Sequence, residues 1–199
     1  MDNTLTAPPR SADASRADED LMLAYAAGDT AAFDLLYDRH RGAVYRYFLR
    51  QLPQDQANDC FQALWLKLIK ARTRYQADAP LVNFLFTLAH NVLMDHYRRN
   101  RRLVAVEDEN LEMLANEELD DKEMDTVSRT AEKDQLLEKL RSLTSQLPFH
   151  QRQAWLMQQE ANLSHEEIAT ITNTSGEGVK SRLRYARAKL KAGLKAYVR

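Results

Sequence analysis

Two clusters of arginine and lysine dominate what this chain could do chemically. The first closes the segment LVNFLFTLAHNVLMDHYRRNRR, residues 81–102, where Arg98, Arg99, Arg101 and Arg102 follow His96 and Tyr97. The second is GVKSRLRYARAKLKAGLKAYVR, residues 178–199, with eight bases and no acid. Cations repeated along a helix suit a polyanion, because each neutralised phosphate releases condensed counterions. On a 3.6-residue period Lys180, Arg184 and Arg187 share one face with Ser181 beside them, while Leu183, Ala186 and Leu190 point inward. Arg182 and Lys189 lie on the flank and suit phosphate contact. At the first cluster the chemistry differs. Asn83, Asn91 and Asp95 place hydrogen-bonding groups along one flank, and Tyr75 and Gln76 stand in the loop ahead. Aromatic and amide groups beside arginines fit a single strand or an unstacked base better than an intact duplex.

Other chemistries find little support. No phosphate-cradling glycine loop or nucleophile motif is present, and His90 and His96 fall on different helix faces. His40, His150 and His165 stand alone in polar segments and read as surface residues. The single cysteine, Cys60, excludes an internal disulfide and reads as a buried thiol. We expect no cofactor, no metal and no small-molecule substrate. The sequence has neither a signal pattern nor an apolar run long enough to span a bilayer, so the expectation is a cytoplasmic protein that is not membrane-inserted.

The net charge of −1 conceals strong segregation. Between Val104 and Ser128 ten acids face one base, Lys122. Such a stretch extends by self-repulsion and reads as a linker, either simply solvated or masking the basic helices when DNA is absent. Around it the pattern is helical almost throughout. The expected fold is all-α: two small helical domains joined by the acidic linker. The expected boundaries are a flexible tail over 1–17, a four-helix unit over 18–103, the linker over 104–130 and a second helical unit over 131–199. In that second unit Ser164 and Glu167 have capping-box spacing, Asn173 suits a left-handed turn and Ser175 suits an N-cap, which is helix-turn-helix grammar.

These residues together resemble the extracytoplasmic-function (ECF) group of bacterial RNA polymerase sigma factors, over about residues 20–194. Asp59, Gln62 and Trp65 match that family's core-binding signature. Asn91, Asp95, Arg98, Arg99 and Arg102, with His90 ahead of them, match the close of its first domain. LSHEEIA and VKSRLRYARAKL match its helix-turn-helix. The resemblance implies that Asp59, Gln62, Trp65 and Leu66 contact the clamp helices of the polymerase's largest subunit, with the flap as a further polymerase contact. It implies that Tyr75, Gln76 and Asp78 belong to a loop capturing a flipped base of the minus-ten element, with Asn83, Asn91, Arg98 and Arg99 following the opened strand. Lys180, Ser181, Arg182, Arg184, Tyr185 and Arg187 are then the minus-thirty-five contacts. The linker would run through the polymerase channels, and an anti-sigma factor would wedge between the domains. The chain departs from the family at Trp65, where phenylalanine is usual, at Phe84, where tryptophan is usual, at Asn173 and Thr174 in the turn, at the paired Gly176 and Gly178, and at Arg184 and Tyr185. Within DNA binding the alternative is a free-standing dimeric helix-turn-helix regulator. Outside it stand an interaction module docking a helix through Trp65 and Leu68, and a nuclease using the linker acids.

Overall fold

The computed structural model describes residues 15–104 and 131–195. The expected tail, apart from residues 15–17, and the acidic linker after residue 104 lie outside the described residues. Helix α1 spans Asp18–Ala26 and opens with Asp18, Glu19 and Asp20, acids that favour the positive end of the helix dipole. Gly28, at φ 108°, turns the chain into α2, Thr30–Leu49. The Asp29 side chain caps α2 by accepting from the amides of Ala31 and Ala32 at 3.1 and 3.3 Å. After Pro53 comes α3, Gln54–Ala71, which runs into a 3-10 turn over Arg72–Arg74. Helix α4, Leu81–Val104, is the longest described element and carries the first arginine cluster at its end.

The carboxy-terminal unit contains α5 (Ala131–Ser145), α6 (Phe149–Ala161), α7 (His165–Ile171) and α8 (Gly176–Leu194). Each expected local signal appears. Ser164 Oγ accepts from Glu167 N at 3.2 Å while Glu167 Oε2 accepts from Ser164 N at 2.7 Å, a complete capping box. Asn173 is left-handed at φ 49°, and Ser175 Oγ accepts from Gly178 N at 3.1 Å. Asn162, at φ 54°, ends α6 in the same conformation.

The packing between the two units is not a feature of either sequence segment. One apolar cluster runs from Leu21, Tyr47, Leu64 and Leu93 into Phe149, Met157, Ile168 and Leu183. Helices α2 and α4 lie against α6, and α4 also lies against α7. Tyr97 meets Phe149 edge to face, ring centroids 5.2 Å apart. The two helical units thus share most of their buried apolar residues where α6 covers flanks of α2 and α4, while Leu147, Ala186 and Leu190 form a smaller cluster within the second unit.

Candidate nucleic-acid and polymerase interfaces

Three surfaces carry the candidate residues. On α3, Asp55, Asp59, Gln62, Leu66 and Lys70 form one exposed row at helical spacing. Leu66 is 56% exposed, high for a large aliphatic side chain. Trp65 does not belong to this row. It is buried among Phe33, Tyr37 and Phe61, with centroids 4.8 Å from Tyr37 and 5.9 Å from Phe33, and so supports the helix from beneath. Leu68 is buried as well, which removes the two residues through which an independent helix-docking module would work.

The second surface is the loop between the 3-10 turn and α4. Arg74, Tyr75, Gln76, Asp78, Ala79, Asn83, Phe84 and Thr87 line a cavity of about 350 Å³. Tyr75, Gln76, Asp78 and Asn83 were legible as candidates; Arg74, Phe84 and Thr87 were not. Arg74 could have been noticed as a cation directly before Tyr75. Tyr75 is buried with its ring 5.5 Å from Phe84, and burial raises its hydroxyl pKa. Its hydroxyl and Asn83 Oδ1 are buried and make no hydrogen bond among the described residues. Two orphaned polar atoms in a cavity wall carry a desolvation cost that a polar ligand edge would relieve.

Farther along α4, Asn91, Arg98 and Arg99 are exposed. Asp95 sits between cations, 3.0 Å from Lys67 Nζ of α3 and 3.2 Å from Arg98. Arg99 Nε donates to the Asp95 carbonyl at 3.3 Å. The Asp95 carboxylate is therefore paired with Lys67 and Arg98 and is not a free group on a polar flank. His96 bonds Gln56 at 2.8 Å, and burial, then Arg99, depresses its pKa. Asn83 is committed as well: Nδ2 donates to Glu167 Oε1 of α7 at 2.7 Å. No sequence signal pointed to Glu167 as a neighbour of this cavity.

The third surface is the outer face of α8. Val179, Leu183, Ala186 and Leu190 are buried, and Lys180, Ser181, Arg184, Tyr185 and Arg187 are exposed, as the periodicity requires. The Arg184 guanidinium lies 5.0 Å from the Tyr185 ring centroid, a stacked cation and aromatic presented together. Arg187 donates to Gln158 Oε1 at 2.6 Å, and Lys180 pairs with Glu177 at 2.8 Å. Glu177 raises the pKa of Lys180 and is itself held below the usual carboxylate range by Lys180. Arg182 is half-buried, which lowers its pKa; its position is flanking, as expected.

Cys60 is buried and its thiol pKa is pushed up to about 11, the inert thiol expected. His40 is not the surface histidine expected: its imidazole is 2.7 Å from Asp18, a pair that ties α1 to α2. His150 is exposed. No described helix is long and apolar enough to cross a membrane, and the described residues contain no cluster suited to a metal.

Comparison with known proteins gives a consistent pattern. The family model described as Sigma-70 region 2 matches residues 36–103, and that described as Sigma-70, region 4 matches residues 137–190. The chain is 27% identical over 176 residues to "ECF RNA polymerase sigma factor SigM" of Mycobacterium tuberculosis H37Rv, covering 88% of this chain and 83% of that one. It is 25% identical over 185 residues to "RNA polymerase sigma-H factor" of Pseudomonas aeruginosa, covering 92% and 96%. Its fold is similar to the sigma factor RpoE of Bartonella quintana, solved in complex with the anti-sigma factor NepR, at a TM-score of 0.67 and 21% identity, covering 82% of this chain and 96% of that one.

Proposed function

The chain belongs to the sigma-70 family, in its extracytoplasmic-function group, and from that premise we propose how its three surfaces divide the work of a promoter-specificity subunit. Such a subunit binds core RNA polymerase, recognises promoter elements and supports melting. The exposed α3 row, Asp59, Gln62 and Leu66 with Trp65 beneath, is the polymerase-docking face. The cavity at Tyr75, Gln76, Asp78 and Asn83 takes an unstacked base of the minus-ten element. Asn91, Arg98 and Arg99 then follow the opened strand. Lys180, Ser181, Arg184 and Tyr185 read duplex at the minus-thirty-five element, with Arg182 and Arg187 gripping phosphates.

One observation carries the division: a cavity with buried, unpartnered Tyr75 and Asn83 oxygens lies on the first unit, while a capped cationic helix lies on the second. A base edge satisfies the former, and a major groove accepts the latter. Melting needs no nucleotide-driven step here, because trapping an unstacked base stabilises the open state. The reading places the protein in the cytoplasm, with core polymerase and promoter DNA as partners and an anti-sigma factor as its restraint.

Run-off transcription tests this. Purified chain added to bacterial core polymerase and fragmented genomic DNA from its source is expected to give new, discrete starts that share two elements. A tight dimer that binds duplex without polymerase and gives no starts would instead support a free-standing regulator.

A further inference from the structure

The loop that walls the base cavity is fastened at both ends to one helix outside it. Residues 75–80 form neither helix nor strand, and all of them except Tyr75 are exposed, so packing within the loop does little to fix it. At the loop's start, the Arg72 guanidinium lies 5.3 Å from the Tyr25 ring centroid, and Arg72 Nη1 donates to the Tyr25 hydroxyl at 3.4 Å. At its end, Leu81 N donates to Glu19 Oε1 at 2.7 Å. Tyr25 and Glu19 both belong to α1. No sequence motif marked either of them, or Arg72.

The anchors are firmly seated and closely spaced. Leu21 and Met22 of α1 are fully buried, and the Tyr25 ring centroid lies 4.9 Å from that of Phe33 on α2. Asp18 holds Arg39 at 2.6 Å and His40 at 2.7 Å, which ties the start of α1 to α2 as well. Glu19 and Tyr25 stand six residues apart, about 9 Å along a helix. The nine-residue step from Arg72 to Leu81 could reach about 30 Å if extended. The anchors thus hold the loop far short of its reach, and it bows against the start of α4, where Tyr75 meets Phe84 at 5.5 Å. Because the Leu81 amide is fixed two residues before Asn83 and three before Phe84, both walls of the cavity are referred to α1.

We propose that α1 is the positioning element of the minus-ten cavity, with Glu19 and the Tyr25–Arg72 pair setting where a trapped base meets Tyr75, Gln76 and Asp78. This rests on the base-capture reading of that cavity. Glu19, Tyr25 and Arg72 do not line it, so they act through the loop and not on the nucleotide. A captured base gains stacking only where an aromatic face meets it at the right depth. A displacement of about 1 Å in such a site costs on the order of a hundredfold. Releasing either end lets the loop relax toward its longer reach. Base capture then weakens while the phosphate contacts proposed for Arg98 and Arg99 remain. The signature is lost discrimination at one base, with strand binding kept.

The test compares variants of the full chain, assembled with bacterial core polymerase, in binding a single strand that carries the minus-ten element mapped from run-off starts. An abasic site is stepped through the strand, and the position that weakens wild type most marks the captured base. Wild type is expected to lose roughly tenfold there, about the stacking of one base. Glu19→Ala and Arg72→Ala are each expected to shrink that penalty to about threefold or less while binding the abasic strand as wild type does. Glu19→Gln keeps an acceptor and Arg72→Lys keeps a cation over Tyr25, and both are expected to retain most of the penalty. Asp29→Ala removes the side-chain cap of α2, a comparable loss of stability away from the loop, and is expected to leave the penalty intact. Arg72→Ala, at a partly exposed position, carries the test should Glu19→Ala fail to fold. Hydrogen exchange at the amides of residues 75–79 in the free chain reads the loop directly, and is expected to speed up in both alanine variants of the anchors and not in Asp29→Ala. An unchanged penalty in Glu19→Ala and Arg72→Ala, a uniform loss on intact and abasic strands, or an equal effect of Asp29→Ala overturns the proposal. A wild-type chain with no abasic penalty at any position overturns the base-capture reading instead, and the exchange rates still judge the anchoring of the loop.

Discussion

Glu19 Oε1 accepts the backbone N–H of Leu81 at 2.7 Å, so a carboxylate from the first helix caps the fourth across 62 residues of chain. The bond anchors the point where the cavity loop becomes α4, two residues before Asn83. Helix starts leave amides unpaired, and a side-chain acceptor at that place stabilises by about 0.5–2 kcal/mol. Glu19→Ala is therefore expected to lower stability by about that amount in urea denaturation, with Glu19→Gln losing less. Equal losses for the two variants would mean that the acceptor is not what matters.

Arg98 and Arg99 project from α4 with Asp95 at their base. If both neutralise phosphates on an opened strand, each contributes about 0.7 to the slope of log affinity against log salt. Replacing both by alanine is expected to flatten that slope by about 1.4 for promoter complexes of the holoenzyme. An unchanged slope would remove them from the strand path.

The Arg184 guanidinium is exposed, 5.0 Å from the Tyr185 ring centroid, and on the proposed reading it contacts a base edge. Arg184→Ala is expected to cost about 1–3 kcal/mol at the preferred minus-thirty-five sequence and little at others. Competition between promoter fragments measures this, and a uniform loss would reassign Arg184 to phosphate.

Glu177 holds Lys180 at 2.8 Å and lies on the first turn of α8. Glu177→Gln releases that lysine and removes a negative charge from the helix face proposed to meet DNA. Duplex binding is expected to tighten and to become more salt-dependent. Unchanged affinity and slope would mean that Lys180 points away from the duplex.

His90 is the titrating group at the seam between α4 and α6. Burial, then Arg98 and His150, depresses its pKa to about 4 from an ordinary value of 6.5. The neutral form accepts from Gln153, so the folded state binds fewer protons than the unfolded state between those two values. Stability from this residue is fully present above about pH 6.5 and is lost as pH falls towards 4, a span on the order of 3 kcal/mol. Asp18 and Glu167, both with lowered pKa, add losses in the same direction below the ordinary carboxylate range. His90→Gln is expected to flatten the pH 5–7 part of a denaturation series while leaving the carboxylate part in place.

Much of this architecture was legible because its signals are local. The capping box at Ser164 and Glu167, the left-handed Asn173 and the inward Leu183 row each depend on residues a few positions apart, where helical period and backbone hydrogen bonding leave little freedom. The aromatic at position 65 was legible as a family signature. Its burial was not, because the same 3.6-residue spacing admits either an inward or an outward tryptophan until Phe33 and Tyr37 of α2 are in place.

By itself the sequence determined an all-helical chain with two cationic helices, a capped helix-turn-helix and a polar aromatic loop, since periodicity, caps and charge are properties of short segments. Only the tertiary structure decided that the two units share one apolar cluster, that Arg46 meets Glu160 and that Asn83 is held by Glu167. Those contacts join residues 84 to 114 positions apart. Such pairs depend on which apolar flanks remain uncovered once each helix has formed, and no local pattern encodes that choice.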